Sequence, residues 1–261
     1  MDDALIEQAR GGDKAALEQL LTDIAPAVHR FGLRMCRNEA DAQDVLQDTL
    51  ISVVDHLNQF QARSSLTSWV FALTRSACAR RRRGLKNRPA ESDATLAESS
   101  DPASSPERDA EQRQLSDMLA KALDSLSDEY REVIALRDIE GLSAKEASDA
   151  LGISVEALKS RLHRARDTLR NKLKPLLEPT AKPTFPSCPD IIALFSRKLE
   201  DELTTEDCAA AEGHVSTCPS CSAVCDALQK ALLACARERT REPSAEVRAA
   251  VIAAVAACTA R

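Results

Sequence analysis

The chain has 261 residues, a formal net charge of −6, seven glycines and only 3% aromatic residues. So few rings and glycines disfavour a β-sandwich or barrel and point to an all-α chain of one to three small domains. The acidic balance excludes wholesale affinity for nucleic acid, although base is concentrated locally: Arg75, Arg80, Arg81, Arg82, Arg83, Lys86 and Arg88 fall in one short span.

The first residues, MDDALIEQAR, are acidic and carry no hydrophobic stretch behind a basic start, so no secretory signal is expected. The most apolar segment, AEVRAAVIAAVAAC, is too short to span a bilayer and contains Arg248. A cytoplasmic protein with no membrane attachment is therefore expected. In that reducing compartment the nine cysteines read as metal ligands or redox-active thiols rather than as a disulfide framework. Seven of them lie between Cys188 and Cys258, which marks a separate segment.

Apolar positions recur at helical spacing through residues 3–82, within a first domain outlined as 1–83. In DAQDVLQDTLISVV, Asp41, Asp44 and Gln47 or Asp48 form an acidic stripe, opposite Ala42, Val45, Leu46, Thr49 and Leu50. Such a stripe is either a solvated surface or a protein-docking face. The following FQARSSLTSWVFALTRSACARRRR sets aromatics beside base, which suits single-stranded DNA, where rings stack on bases and arginines hold phosphates. Phe60, Arg63, Arg75, Arg80 and Arg81 are the candidate contacts, while Trp69 reads better as core. Residues 84–110 are rich in Ser, Pro and acid without an apolar period and read as a flexible linker.

Residues 111–175 are helical again. A first helix over about 128–138 ends at Glu140-Gly141, where glycine suits a left-handed stop. Ser143 precedes AKEASDAL with Glu146 three residues on, a capping-box pattern, and Gly152 supplies a tight turn. Ser154 then opens a basic helix, VEALKSRLHRAR. This is a helix-turn-helix pattern, with Ser154, Lys159, Arg161, Arg164 and Arg166 facing DNA and Val155, Leu158, Leu162 and Ala165 facing the core. The blander alternative is a helical hairpin with a solvated basic face.

Over residues 1–175 these stretches resemble the extracytoplasmic-function (ECF) sigma factors of bacterial RNA polymerase. The resemblance implies a region 2 whose helix grips the polymerase β′ clamp through Asp41, Asp44, Gln47 and Asp48. It implies a −10 element held around Phe60 and the next helix, and a region 4 that reads the −35 element near Ser154 and docks on the β flap. Ser76, Arg80 and Ser127 depart from the usual Asn, acid and Pro of the family. The resemblance implies no catalysis; DNA opening is differential binding.

Four prolines across 178–189 stiffen a junction, outlined as 176–187, and 188–261 is the cysteine-rich part. His214 and Cys218 are four apart on an expected helix over 205–217, and Pro219 starts another over 219–237 with Cys221 across the turn. H-x3-C-x2-C fits a tetrahedral Zn²⁺. For the fourth ligand Cys188, free to fold back, is preferred over Cys208, which is about 240° around the helix from His214. Cys221 with Cys225 offers a second thiolate-rich arrangement, and soft thiolates also take Cd²⁺ or a Cu ion. This block resembles zinc-binding anti-sigma modules, and its fusion to sigma regions resembles the metal-dependent CorE-type ECF factors. That implies promoter selection governed by Zn, Cd or Cu at the tail, with no other small-molecule substrate. The alternatives are thiol-redox control, or a non-sigma helix-turn-helix regulator with a structural zinc.

Overall fold

In the computed structural model of the protein the described residues are 3–36, 38–84, 117–177, 188–240 and 245–259, and all regular structure among them is helical. The expected linker beyond residue 84 and the junction beyond residue 177 fall outside the described residues. The helices are α1 (Asp3–Arg10), α2 (Lys14–Cys36), α3 (Glu39–His56), α4 (Leu66–Gly84), α5 (described over 117–124), α6 (Asp128–Ile134), α7 (Ala144–Leu151), α8 (Val155–Leu177), α9 (Ile191–Leu199), α10 (Thr205–Thr217), α11 (Pro219–Thr240) and α12 (Ala245–Thr259). Contacts group them into two compact units. One holds 1–99, 145–154 and 241–261; the other holds 100–144 and 155–240.

The first unit is a bundle of α1–α4 closed by α12. Asp13 accepts from the backbone N–H groups of Ala15 and Ala16 at 2.9 and 3.2 Å and so opens α2. Asn38 caps α3 by accepting from the Asp41 N–H at 2.7 Å. Ala42, Val45, Leu46, Thr49, Leu50 and Val53 of α3 are buried, which is the apolar stripe the spacing predicts. Of these, Leu46, Leu50 and Val53 share a core with Leu20, Leu21 and Val28 of α2, each side chain contributing about 1.5–3 kcal/mol. Phe31 and Phe71 meet edge to face at 5.5 Å, fixing α2 against α4.

Into the same core α12 inserts Val247, Val251, Val255 and Cys258, spaced i, i+4, i+8 and i+11, while Ile252 on its other side is 69% exposed. The linear outline sets this helix in the cysteine-rich part. In the structure its apolar stripe is taken up by the N-terminal bundle instead, a destination that periodicity does not specify.

The second unit is organised around Arg131 of α6, which is fully buried. Its guanidinium donates to the carbonyls of Leu123, Asp124 and Leu126 at 2.8–2.9 Å, answering the bare C-terminal end of α5. Ser127, where the resemblance leads one to expect proline, caps α6 by accepting from the Tyr130 N–H. The helix expected over about 128–138 continues past α6 as a π-turn, Ala135–Ile139, and stops at Gly141 with φ of 74°. A Cβ there would collide with Nη1 of Arg239, on α11. Gly152, which contacts assign to the first unit with the rest of 145–154, has φ of 66° and gives the turn after α7. Leu158, Leu162, Ala165, Leu169 and Leu173 make the buried stripe of α8, and Val155 is half-buried.

His29 on α2 is buried, with no partner for Nε2. Burial, helped by the charge of Arg30, pushes its pKa down to about 4. The fold thus prefers the neutral ring. Its contribution is complete above pH 6.5 and lost as the pH falls towards 4, about 3 kcal/mol in full. Thermal melts between pH 7 and pH 4 should show a steeper loss of stability for the native chain than for His29→Leu; equal slopes would exclude His29 as the source.

Candidate metal centre and nucleic-acid interface

The metal-ligating side chains are brought together by helix ends. Asp190 caps α9 just after Cys188. Thr204 caps α10 by accepting from the Asp207 N–H at 3.1 Å, and two acids, Glu206 and Asp207, occupy its first turn. At the other end Cys218 is extended (φ −106°, ψ 105°) while its N–H still donates to the His214 carbonyl at 2.9 Å. Pro219, lacking an N–H, opens α11 at the position where none is needed. His214 therefore sits one turn before the break, Cys218 at it, and Cys221 in the next first turn.

The ligand atoms of Cys188, His214, Cys218 and Cys221 all lie within 4.8 Å of one another. Cys188 Sγ and Cys218 Sγ are 3.8 Å apart, and His214 Nε2 and Cys221 Sγ 3.3 Å. Metal–sulfur bonds of about 2.3 Å place tetrahedral ligands about 3.8 Å from each other, so the spacing fits a Zn²⁺-sized ion. The electrostatics agree. Burial, with the neighbouring Cys188 and Cys218 thiols, pushes Cys221 up to about 12. The Cys221 N–H, first among several donors, holds Cys218 below the usual thiol value. Three thiols this close cannot all ionise without a cation among them.

Cys208 is not in this group. It lies on another face of α10 and, with Cys225, Lys198, Glu212 and Phe195, lines a cavity of about 390 Å³. Of the five expected ligands the structure assembles four, with Cys188 in the fourth position. Cys225, expected as part of an alternative thiolate site, is likewise outside the group and is pushed up by burial. The surrounding core is small: Ile191, Cys221, Val224 and Leu228 are its buried members, and α10 buries no residue at all.

The expected DNA and docking residues divide by burial. Gln47, Asp48, Arg63, Arg80, Ser154 and Arg164 are exposed. Asp41 is buried instead, accepting from Arg81 Nε at 2.5 Å and from Asn38 at 2.6 Å, and Arg81 also pairs with Asp44. Phe60 is buried and packs on Trp69 at 5.3 Å, so it lies in the core rather than at a stacking surface. Arg75 donates to the Leu151 carbonyl at 3.4 Å. On α8, Arg161 is 3.7 Å from Glu129. Arg166 is buried and paired with Asp138 at 2.6 Å, with Glu200 at 3.7 Å, and is not presented to a groove. Lys159 pairs with Glu202. Glu200 also meets Arg137 at 2.6 Å. Sequence reasoning missed these two glutamates, which sit in the acidic run LEDEL between α9 and α10.

Comparison with known proteins places these features. The sigma-70 region 2 model matches residues 20–88, the sigma-70 region 4 model residues 116–169, and a putative zinc-finger model residues 188–222. Together they define a class: a transcription initiation factor of two sigma regions followed by a zinc-finger-like segment. The RNA polymerase sigma factor CarQ of Myxococcus xanthus is 32% identical over 169 residues, which is 64% of this chain and 95% of CarQ. The ECF RNA polymerase sigma factor SigE of Mycolicibacterium smegmatis is 33% identical over 168 residues, 62% of this chain, and the chain spans 64% of its length. A solved structure of CnrH in complex with the cytosolic domain of CnrY aligns with a TM-score of 0.51 at 27% identity, covering 66% of this chain and 97% of that one. The chain belongs to the ECF family of RNA polymerase sigma factors. Sigma factors are initiation factors and not enzymes. Among the described residues no helix is long and apolar enough to cross a membrane.

Metal analysis of the purified protein should find about one Zn²⁺ per chain. Cys218→Ala or His214→Ala should lose most of it, and Cys208→Ala should keep it. Retention by Cys218→Ala together with loss by Cys208→Ala would reverse the ligand assignment.

Proposed function

We propose that the protein directs bacterial RNA polymerase to specific promoters in the cytoplasm, and that metal at the Cys188–His214–Cys218–Cys221 centre governs this activity. Region 2 docks on the β′ clamp through the exposed Gln47 and Asp48 beside Asp44, and Arg63 and Arg80 meet −10 DNA. Region 4 docks on the β flap and reads the −35 element through Ser154, Lys159, Arg161 and Arg164. The domain outline that goes with this is region 2 over 1–83, region 4 over 111–175 and a regulatory part over 188–261.

The observation that carries metal control is the position of Glu200 and Glu202. They lie between α9 and α10, the segment that the metal ligands bracket, and they pair with Arg166 and Lys159 of the DNA-reading helix. A change in metal occupancy that shifts α10 against α11 alters the same segment that occupies Lys159. Three thiols and an imidazole suit Zn²⁺, Cd²⁺ or Cu⁺ by softness, so metal-handling genes are the natural targets.

Two measurements test this. Charge reversal at Asp48 together with Gln47→Lys should abolish co-purification with core polymerase, whereas a sigma-independent regulator would be unaffected. Transcription in vitro from a cognate promoter, with a panel of Zn²⁺, Cd²⁺, Cu²⁺ and Cu⁺, should respond to at least one ion. Glu202→Lys should free Lys159 and strengthen promoter binding several-fold. Output unaltered by every ion and by Cys218→Ala would remove metal control and leave the sigma assignment in place.

A further inference from the structure

None of the four metal ligands lines the cavity between α9, α10 and α11. It holds about 390 Å³, within the range of sites that take small organic molecules. Its wall is chiefly apolar, with Ile191, Leu194, Phe195, Leu203 and Val215 turned to it. Two thiols share that wall, Cys208 of α10 and Cys225 of α11. Both are free, and both are partly exposed rather than sealed in a core. Because α10 buries no residue, Cys208 is open to a molecule that enters the cavity.

The rim of the cavity is charged. Lys198 Nζ and Glu212 Oε1 pair at 2.8 Å, joining α9 to α10. Glu212 stands one turn after Cys208 on the same face of α10, which brings the Lys198 ammonium near the thiol. The ammonium and the Cys208 sulfur interact electrostatically. A neighbouring cation favours the thiolate, which is the nucleophilic form.

We propose that this cavity is a binding site for small apolar α,β-unsaturated carbonyl compounds, which it captures covalently at Cys208. The hydrocarbon body lies against Leu194, Phe195 and Val215 while the sulfur attacks the β-carbon. The S–C bond forms, the C=C π bond breaks, and the proton lost by the thiol ends on the α-carbon. The addition is redox-neutral and needs no oxidant. Thr217 and Pro219 belong to the same wall, so an occupant touches the turn that carries Cys218. The inference stands on the cavity alone and holds whether or not metal governs transcription.

The test uses the zinc-loaded full chain, with N-phenylmaleimide as the apolar acceptor and N-(2-carboxyethyl)maleimide as a charged one of the same chemistry. Peptide mapping after brief exposure gives the labelling rate at each cysteine, with glutathione as the free-thiol reference. Relative to glutathione, Cys208 should favour the phenyl reagent by about tenfold, as burial of one ring requires. N-phenylsuccinimide, the same body without the reactive double bond, should slow that labelling. In Ala211→Trp, which fills the cavity, the preference should fall to that of glutathione, and Cys225→Ser should keep it. Absence of a preference at Cys208, faster labelling of Cys225, or indifference to the succinimide would overturn the proposal. Where the tryptophan variant loses its zinc or its helix content, the succinimide competition in the native chain decides alone.

Discussion

Three thiols and an imidazole held within 4.8 Å of one another are the constraint on which the tail depends. Burial and the neighbouring thiols hold the Cys221 thiol in its protonated form, and the helix that supplies His214 buries no residue of its own. A segment with so small a core is of the kind that metal ligation would order. The turn at Cys218-Pro219 is the local device that permits this. It ends one helix and starts the next within a single peptide unit, so that ligands on both sides face one point.

Besides the packing of α11 on α8, the same segment is joined to the helix-turn-helix part by charge. Arg166, Asp138, Glu200 and Arg137 form a cluster in which the arginine and its carboxylates are nearly sealed from water. Removing one partner from such a cluster costs about 3–5 kcal/mol, because the other charge stays behind unpaired. Lys159 and Glu202 are more exposed, and their pairing is correspondingly weak and salt-sensitive. The cluster thus anchors the α9–α10 turn, while the outer pair is the part that is more easily exchanged.

Local chemistry was the readable part of the sequence. Caps, glycine stops and the proline start gave helices over 205–217 and from 219 to within a few residues of their observed ends, and the H-x3-C-x2-C spacing led to the centre. Charges were harder, because their partners are distant in sequence. Asp41 resembles a surface acid until Arg81, forty residues later, covers it, and Arg166 resembles a phosphate reader until Asp138 and Glu200 enclose it. Phe60 read as a stacking ring because its neighbours are basic, yet Trp69 draws it into the core. Periodicity tells which side of a helix is buried and leaves open what buries it.

That last point bears on α12. The bundle that forms region 2 takes part of its interior from Val247, Val251, Val255 and Cys258. These side chains emerge from the ribosome after every other helix of the bundle has been made. For most of its synthesis the nascent sigma region therefore carries an uncovered apolar strip, and it reaches its closed form only with the arrival of the tail. Assembly order is thus written into the far end of the chain: a product interrupted before that helix would have its sigma regions but an unfinished interior.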